Sequence, residues 1–174
     1  KGETVNLNFK HAMHKLVVNV TYDGDFTGVN TDNVSIKPVG MNASAAINVQ
    51  TGIVTPGEAT DTDGDYAAQT LINNACSFIL APQKLTTDAE WLEINLDGQP
   101  LTFYVPARYT TSGSSTEDLS QLNSGEVLTL NLTIKKISGG TDPDKTVIVL
   151  TTGQITAWNS QGTVEGEVQV NGNN

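Results

Sequence analysis

The strongest constraint on this chain is an alternation of apolar and polar residues with a period of two. In residues 4–10 the apolar side chains Val5, Leu7 and Phe9 fall at odd positions, whereas in residues 16–22 apolar side chains fall at even positions. Such alternation predicts half-buried β-strands, because successive side chains of a strand point to opposite faces of the sheet. The change of parity between His11 and His14 predicts a turn, a bulge or a crossing to another sheet.

Further strand-like segments, each bounded by Gly, Pro, Asn or Asp, follow at short spacing. They cover residues 33–39, 45–54, 71–80, 91–96, 101–105, 127–134, 146–155 and 163–170. Asp97-Gly98 predicts a tight hairpin between two of them. Residues 115–122 are the one helical candidate, because a Ser or Thr cap precedes acidic residues there. Residues 55–68 and 110–115 are expected to be loops.

These segments predict an all-β sandwich of about 7–9 mostly antiparallel strands. The 174 residues are enough for one well-filled core. Strand patterns resume on both sides of each loop without a shift in composition, so we expect a single domain over residues 1–174.

Charge narrows the range of partners. The chain has a formal net charge of −10 and one arginine, Arg108, so nucleic-acid binding and docking on anionic lipid are not expected. No stretch approaches the roughly 18 apolar residues of a membrane span, so we expect no direct membrane insertion. The sequence starts at Lys1 in a strand-like pattern, and we expect that any export signal has already been removed.

Nucleophilic catalysis needs a base beside a Ser, Thr or Cys, but the only two histidines lie within four residues of each other and no Gly-x-Ser-x-Gly elbow is present. The sequence therefore predicts no enzyme and no cofactor. Cys76 is the only cysteine, and its small and apolar neighbours predict a buried structural thiol. His11 and His14 are the only histidines and have no carboxylate near them in sequence, so we expect a strand kink with one ring hydrogen-bonded to the backbone rather than a metal site. A paired-carboxylate glycosidase stays open, because such pairs need no local motif.

A second class of function is an extracellular carbohydrate-binding β-sandwich module, possible with or without calcium. Asp61, Asp63 and Asp65 alternate in a loop as calcium ligands do, but their glycine is misplaced for an EF-hand and no Glu closes the loop. An acidic, solvated turn is therefore the default interpretation, and no metal is predicted.

Aromatic side chains could provide the sugar platform of such a module. Trp91, Tyr104, Tyr109 and Trp158 are the candidates for stacking on sugar rings. Core packing is the favoured interpretation for both tryptophans, because each lies at the end of a predicted strand. A chelator would abolish ligand binding by a calcium-assisted module and would leave a purely structural protein unchanged.

Four segments match, in order, the elements of one known family. Residues 5–16 look like an apolar-x-Phe-x-His-x-x-x-Lys-Leu signature, residues 78–83 like a strand ending in Pro-Gln, residues 122–134 like a Gly-led late strand, and residues 153–158 like a closing Ile-x-x-Trp element. Together they resemble the Bacteroidales fimbrillin family of Mfa-like, type V pilin proteins. The residues that carry the resemblance are Phe9, His11, Lys15, Leu16, Pro82, Gly125, Ile155 and Trp158.

The resemblance implies a transthyretin-like β-sandwich that is the C-terminal half of a two-domain lipoprotein. It also implies a structural subunit or adhesin of a type V-like pilus, located at the cell surface and anchored at the outer membrane. Its partners would be other pilus subunits, joined by donor-strand exchange, and a glycan or protein on a host or bacterial surface. Residues 163–170, with Val164, Val168 and Val170 at even positions, would be a resident or a donated strand. A stalk, anchor or tip role stays open.

Overall fold

The computed structural model describes residues 10–57, 66–111, 114–136 and 146–158. Within these ranges the chain forms 14 strands and no helix, which confirms the all-β class. The strands are β1 (His14–Asp23), β2 (Val34–Pro38), β3 (Ala45–Ile47), β4 (Val54–Pro56), β5 (Gln69–Thr70), β6 (Ala75–Leu80), β7 (Gln83–Lys84), β8 (Glu90–Leu96), β9 (Gln99–Tyr104), β10 (Arg108–Thr110), β11 (Thr116–Asp118), β12 (Gln121–Leu122), β13 (Glu126–Lys136) and β14 (Thr146–Ala157). They outnumber the predicted 7–9 because several are only two or three residues long.

The first sheet has the strand order β14-β13-β1-β6. β1 runs parallel to β13, with Lys15 opposite Val127, and antiparallel to β6, while β14 is antiparallel to β13. The even-numbered side chains of β1 from Leu16 to Val20 are buried, as the alternation predicts. This arrangement brings the start of β1, the start of β13 and the end of β14 to the same end of the sheet.

The second sheet has the order β5-β2-β8-β9, and all of its pairings are antiparallel. Asp97 and Gly98 both have positive φ, 49° and 87°, and connect β8 to β9. The Asn95 side-chain oxygen accepts a hydrogen bond from the Gly98 N–H at 2.8 Å and so closes the turn. The predicted Asp-Gly hairpin is thereby confirmed.

One hydrophobic cluster lies between the two sheets and contains buried residues of both. Leu16, Leu130 and Leu132 come from the first sheet, and Ile36 and Ile94 come from the second. The fold is therefore a β-sandwich. No helix that could cross a membrane occurs in the part of the chain that the structure describes.

Residues 115–122 do not form the predicted helix. β11 pairs with β10 instead, where Arg108 Nε donates to Asp118 Oδ1 at 2.7 Å and the Tyr109 hydroxyl donates to Glu117 Oε2 at 2.7 Å. β12 pairs with β7. The helix prediction is wrong because both acidic residues that favour a first helical turn have partners on β10.

Residues 45–54 form a hairpin rather than one strand. Its turn is closed by two backbone hydrogen bonds, from the Asn48 N–H to the Ile53 carbonyl at 2.9 Å and from the Gly52 N–H to the Asn48 carbonyl at 2.7 Å. Gly52 has a φ of 72°, a conformation that glycine adopts readily. The turn signal of Asn48 and Gly52 outweighs the high β-propensity of the residues around it.

Candidate functional site

Three of the residues that carry the family resemblance come together at one end of the first sheet. His11 lies just before β1, Gly125 just before β13 and Trp158 just after β14. We call these three residues, together with His14, the terminal clasp. Phe9 lies outside the described residues. The clasp joins segments more than 100 residues apart in sequence because β1 is parallel to β13.

A ring stack forms the centre of the terminal clasp. The His11 and Trp158 rings lie 3.7 Å apart between centroids and are inclined by only 7°. The backbone N–H of Trp158 donates to the Gly125 carbonyl at 2.7 Å, and the backbone N–H of Gly125 donates to the Met13 carbonyl at 3.0 Å. The segment before β1 is thus tied to the segment after β14 through the turn before β13.

Position 125 of the clasp requires a glycine. Its φ is 73°, and a β-carbon on it would lie 3.1 Å from the His11 carbonyl oxygen. A larger residue would therefore be strained in backbone conformation and would also push the His11 segment away. The Ser124 hydroxyl donates to the Ala12 carbonyl at 2.6 Å and adds a second link across the same gap.

His14 is the buried histidine of the clasp. Its Nδ1–H donates to the Asn123 carbonyl at 2.8 Å, which confirms the expected ring-to-backbone hydrogen bond, while Nε2 is buried without a partner among the described residues. Burial lowers the pKa of His14 below its ordinary value, against the opposing effects of the Asn123 hydrogen bond and the Glu126 carboxylate. The ring is therefore neutral at neutral pH and serves as a structural hydrogen-bond donor.

The other residues of the resemblance lie elsewhere. Leu16 is fully buried in the core, and Lys15 is half-buried on the opposite side of β1. Ile155 is half-buried, packs against the core and lies opposite Leu128 on β13. Pro82 is buried between β6 and β7. The resemblance thus includes residues of the clasp and also residues with ordinary packing positions in the sandwich.

A groove of about 680 Å³ opens beside the His11–Trp158 stack. Lys10, Ser124, Ile47, Gln50 and Thr51 are among its lining residues, and the last three belong to the β3–β4 hairpin. The sequence did not predict that the hairpin lies beside the His11–Trp158 stack. It does mark the hairpin segment as unusual, because positions 38–57 contain no charged residue in an otherwise acidic chain.

The remaining candidate residues are Cys76, the three aspartates of the predicted acidic turn and the three valines of the predicted C-terminal strand. Cys76 is half-buried in β6, less buried than expected, and burial raises its pKa to about 11, so it stays a thiol at neutral pH. In the described ranges no three His, Cys, Asp or Glu side chains are grouped so that they could hold a metal ion. Asp61, Asp63 and Asp65, as well as Val164, Val168 and Val170, lie outside those ranges.

The four aromatic candidates differ in exposure. Trp91 is fully buried, which confirms its predicted core position, and Tyr109 is buried as well. Trp158 is half-buried and stacked on His11 rather than packed in the core. Tyr104 is 50% exposed. Neither Trp91 nor Tyr109 can present a ring face to a sugar.

The fold is shared with solved structures from Bacteroides. A Bacteroides ovatus protein described as a candidate cell adhesion protein superposes on this chain with a TM-score of 0.59 and 18% sequence identity. The superposition covers 86% of this chain and 46% of that one. A Bacteroides uniformis protein described in the same way superposes with a TM-score of 0.54 and 18% identity, over 86% of this chain and 52% of that one. This chain thus spans about half the length of each.

Two further comparisons concern the sequence. Among proteins with a curated description, none matches it. The model of the fimbrillin-like family, however, matches residues 1–158, from the first residue of the chain to the tryptophan of the clasp. The chain therefore belongs to the fimbrillin-like family.

Proposed function

We propose that this protein is a structural, non-enzymatic subunit or adhesin of a type V-like pilus at the cell surface. The observation that carries the proposal is the family match over residues 1–158. The description of both Bacteroides neighbours as candidates for cell adhesion supports it. Its partners are other subunits of the pilus and a glycan or protein on the surface to which the pilus adheres.

The proposal extends to the whole protein and to its anchoring. The chain corresponds to about half of each neighbour, which supports a role as one domain of a two-domain subunit. The family resemblance of its His-containing segment implies that this is the C-terminal domain. In that arrangement the N-terminal domain carries the lipidation site, and the pilus is anchored at the outer membrane.

Assembly by strand addition is the finer part of the proposal. Within the described ranges β6 and β14 are the outer strands of the first sheet, and β5 and β9 are those of the second. An outer strand can accept a strand from a neighbouring subunit, because its backbone N–H and C=O groups are available on one side. Residues 163–170 alternate suitably for a donated strand and begin five residues after Trp158 of the clasp.

Truncation after Trp158 tests this assembly route. We expect the wild-type chain, within its complete protein and after proteolysis of any N-terminal segment, to form fibres that light scattering and electron microscopy detect. We expect the truncated chain to form none, because the donated strand is missing. A matched variant with Thr at positions 164, 168 and 170 keeps the tail length and β-branching but removes the apolar pocket-filling groups, and should also fail.

The alternative outcomes are distinct. Fibres that persist in both variants would place the donated strand elsewhere in the protein. Monomers from the wild-type chain under every condition would contradict a polymerising stalk subunit and would favour a subunit that caps the tip.

A further inference from the structure

The ring of His14 lies at the junction on which the terminal clasp depends. His14 is the first residue of β1 and is fully buried, and its Nδ1–H donates to the Asn123 carbonyl at 2.8 Å. Asn123 is followed directly by Ser124 and Gly125, which are both hydrogen-bonded to the segment before β1. Gly125 also accepts the hydrogen bond from Trp158. A change at the His14 ring therefore acts on the turn to which the rest of the clasp is bonded.

Protonation would give this ring an N–H group that the closed clasp does not satisfy. The imidazolium carries a proton on both nitrogens, whereas Nε2 of His14 is buried without a hydrogen-bond partner among the described residues. On the neighbouring strand β6, Leu80 lies opposite His14, and β6 contains no charged residue. A buried, charged N–H without an acceptor is costly, so the protonated ring favours a clasp that has opened to water.

The charges around the ring oppose this effect but do not cancel it. Glu126, at the start of β13, favours the protonated ring, and so does the hydrogen bond to Asn123, yet burial outweighs both and lowers the pKa of His14. The other histidine of the clasp, His11, is stacked on Trp158, and a protonated ring there would be attracted to the face of the indole. His14 is therefore the histidine through which acid weakens the clasp.

We propose that the terminal clasp is a proton-operated latch, which is closed while His14 is neutral and opens when the ring takes up a proton. Opening separates the segment before β1 and Trp158 from the turn at Gly125, while the two sheets stay intact. The clasp can open locally because His11, Gly125 and Trp158 lie outside the strands and are held by few hydrogen bonds. This regulation goes beyond the proposed function and does not depend on it.

The pH range of the latch follows from the direction of the pKa shift. The closed clasp holds the pKa of His14 below its ordinary value of about 6.5, whereas the open clasp restores that value. Above about pH 6.5 the ring is neutral in both forms, and the clasp has its full stability. Below it the open form binds the proton more readily, so the ratio of open to closed clasp rises by up to about tenfold per pH unit until the closed form is protonated as well.

Amide hydrogen exchange of the 174-residue chain, followed by NMR and corrected for the intrinsic effect of pH, tests the latch. Between about pH 7.5 and about pH 5.0 we expect the protection factors of the Gly125 and Trp158 N–H groups to fall at least about fivefold. The Val20 N–H, bonded to the Asn74 carbonyl at 2.8 Å, reports on the first sheet. It should stay at least about tenfold more protected than both clasp amides at either pH, because the clasp opens without the sheet.

His14→Asn is the variant that removes the titrating group. The asparagine amide nitrogen lies about where Nδ1 of the histidine lies, so it can donate to the Asn123 carbonyl, but it does not titrate in this range. We expect the protection of the Gly125 and Trp158 amides in this variant to differ by less than about twofold between the two pH values. A fall as large as in wild type would overturn the inference, as would unchanged protection in wild type or clasp amides as well protected as Val20.

The titration of the His14 ring itself, followed by NMR, keeps the test decisive if His14→Asn does not fold. We expect the wild-type ring to titrate below about pH 6.5. In a Glu126→Gln variant it should titrate at still lower pH, because the change removes the charge that favours the protonated ring and keeps an oxygen for the Asn123 amide. A wild-type ring that titrates at or above about pH 6.5, or a ring whose titration does not move to lower pH in Glu126→Gln, would contradict the latch.

Discussion

A Trp91→Ala chain is expected to lose about 3–5 kcal/mol of its free energy of unfolding. Trp91 is fully buried, its ring lies 6.1 Å from that of Phe103 on the neighbouring strand, and its indole N–H donates to Met41 Sδ at 3.2 Å. Alanine would leave a large cavity between the second sheet and the segment that leads into the β3–β4 hairpin. Urea unfolding followed by far-ultraviolet circular dichroism measures the loss.

Tyr104→Ala is the matched control for this substitution. Tyr104 is also an aromatic residue of the second sheet, but it is 50% exposed. Its replacement should cost less than about 1 kcal/mol, because little buried apolar area disappears. If the two variants unfold at the same urea concentration, Trp91 does not occupy a core position.

Gly153→Ala is expected to destabilise the fold by about 1–3 kcal/mol, although it adds a single methyl group. A β-carbon at position 153 would lie only 2.8 Å from Tyr109 Cδ2 and 3.0 Å from its Cγ. The Tyr109 ring cannot easily move away, because it is buried and its hydroxyl donates to Glu117. Burial and this hydrogen bond both raise the pKa of Tyr109, so the hydroxyl remains a donor at neutral pH.

A double-mutant cycle with Tyr109→Ala isolates this contact. In the Tyr109→Ala background there is room for the added methyl group, so Gly153→Ala should cost at least about 1 kcal/mol less than in wild type. Thermal or urea unfolding of the four chains gives the coupling free energy. Equal costs in the two backgrounds would mean that Tyr109 does not pack on Gly153.

Long alternating segments and local turn chemistry were the parts of the fold that sequence could predict. β1 and β13 alternate over ten or more residues, and Asp97-Gly98 is a turn signal that acts locally. The shortest strands were not predictable, because two or three residues carry no periodicity of their own. β11 is a strand only because Glu117 and Asp118 find partners on β10, and a local capping pattern cannot reveal that.

The terminal clasp was likewise only partly predictable from the sequence. The family resemblance identified His11, Gly125 and Trp158 from the sequence alone. It gave equal weight to Lys15, Leu16 and Ile155, which do not belong to the clasp. Their separation follows from tertiary structure: the parallel pairing of β1 with β13 brings the first three together, while alternation turns Leu16 into the core. The groove was not predictable, because it depends on how the β3–β4 hairpin lies beside the clasp.

Immunogold electron microscopy of cells that produce the protein tests the central claim most directly. Antibodies raised against the 174-residue chain should label filaments that extend from the cell surface, either along their length for a stalk subunit or at one end for an anchor or tip subunit. Cells that lack the protein should show no label. Label confined to the cell interior, or surface label that never coincides with a filament, would contradict the assignment of this chain to a pilus.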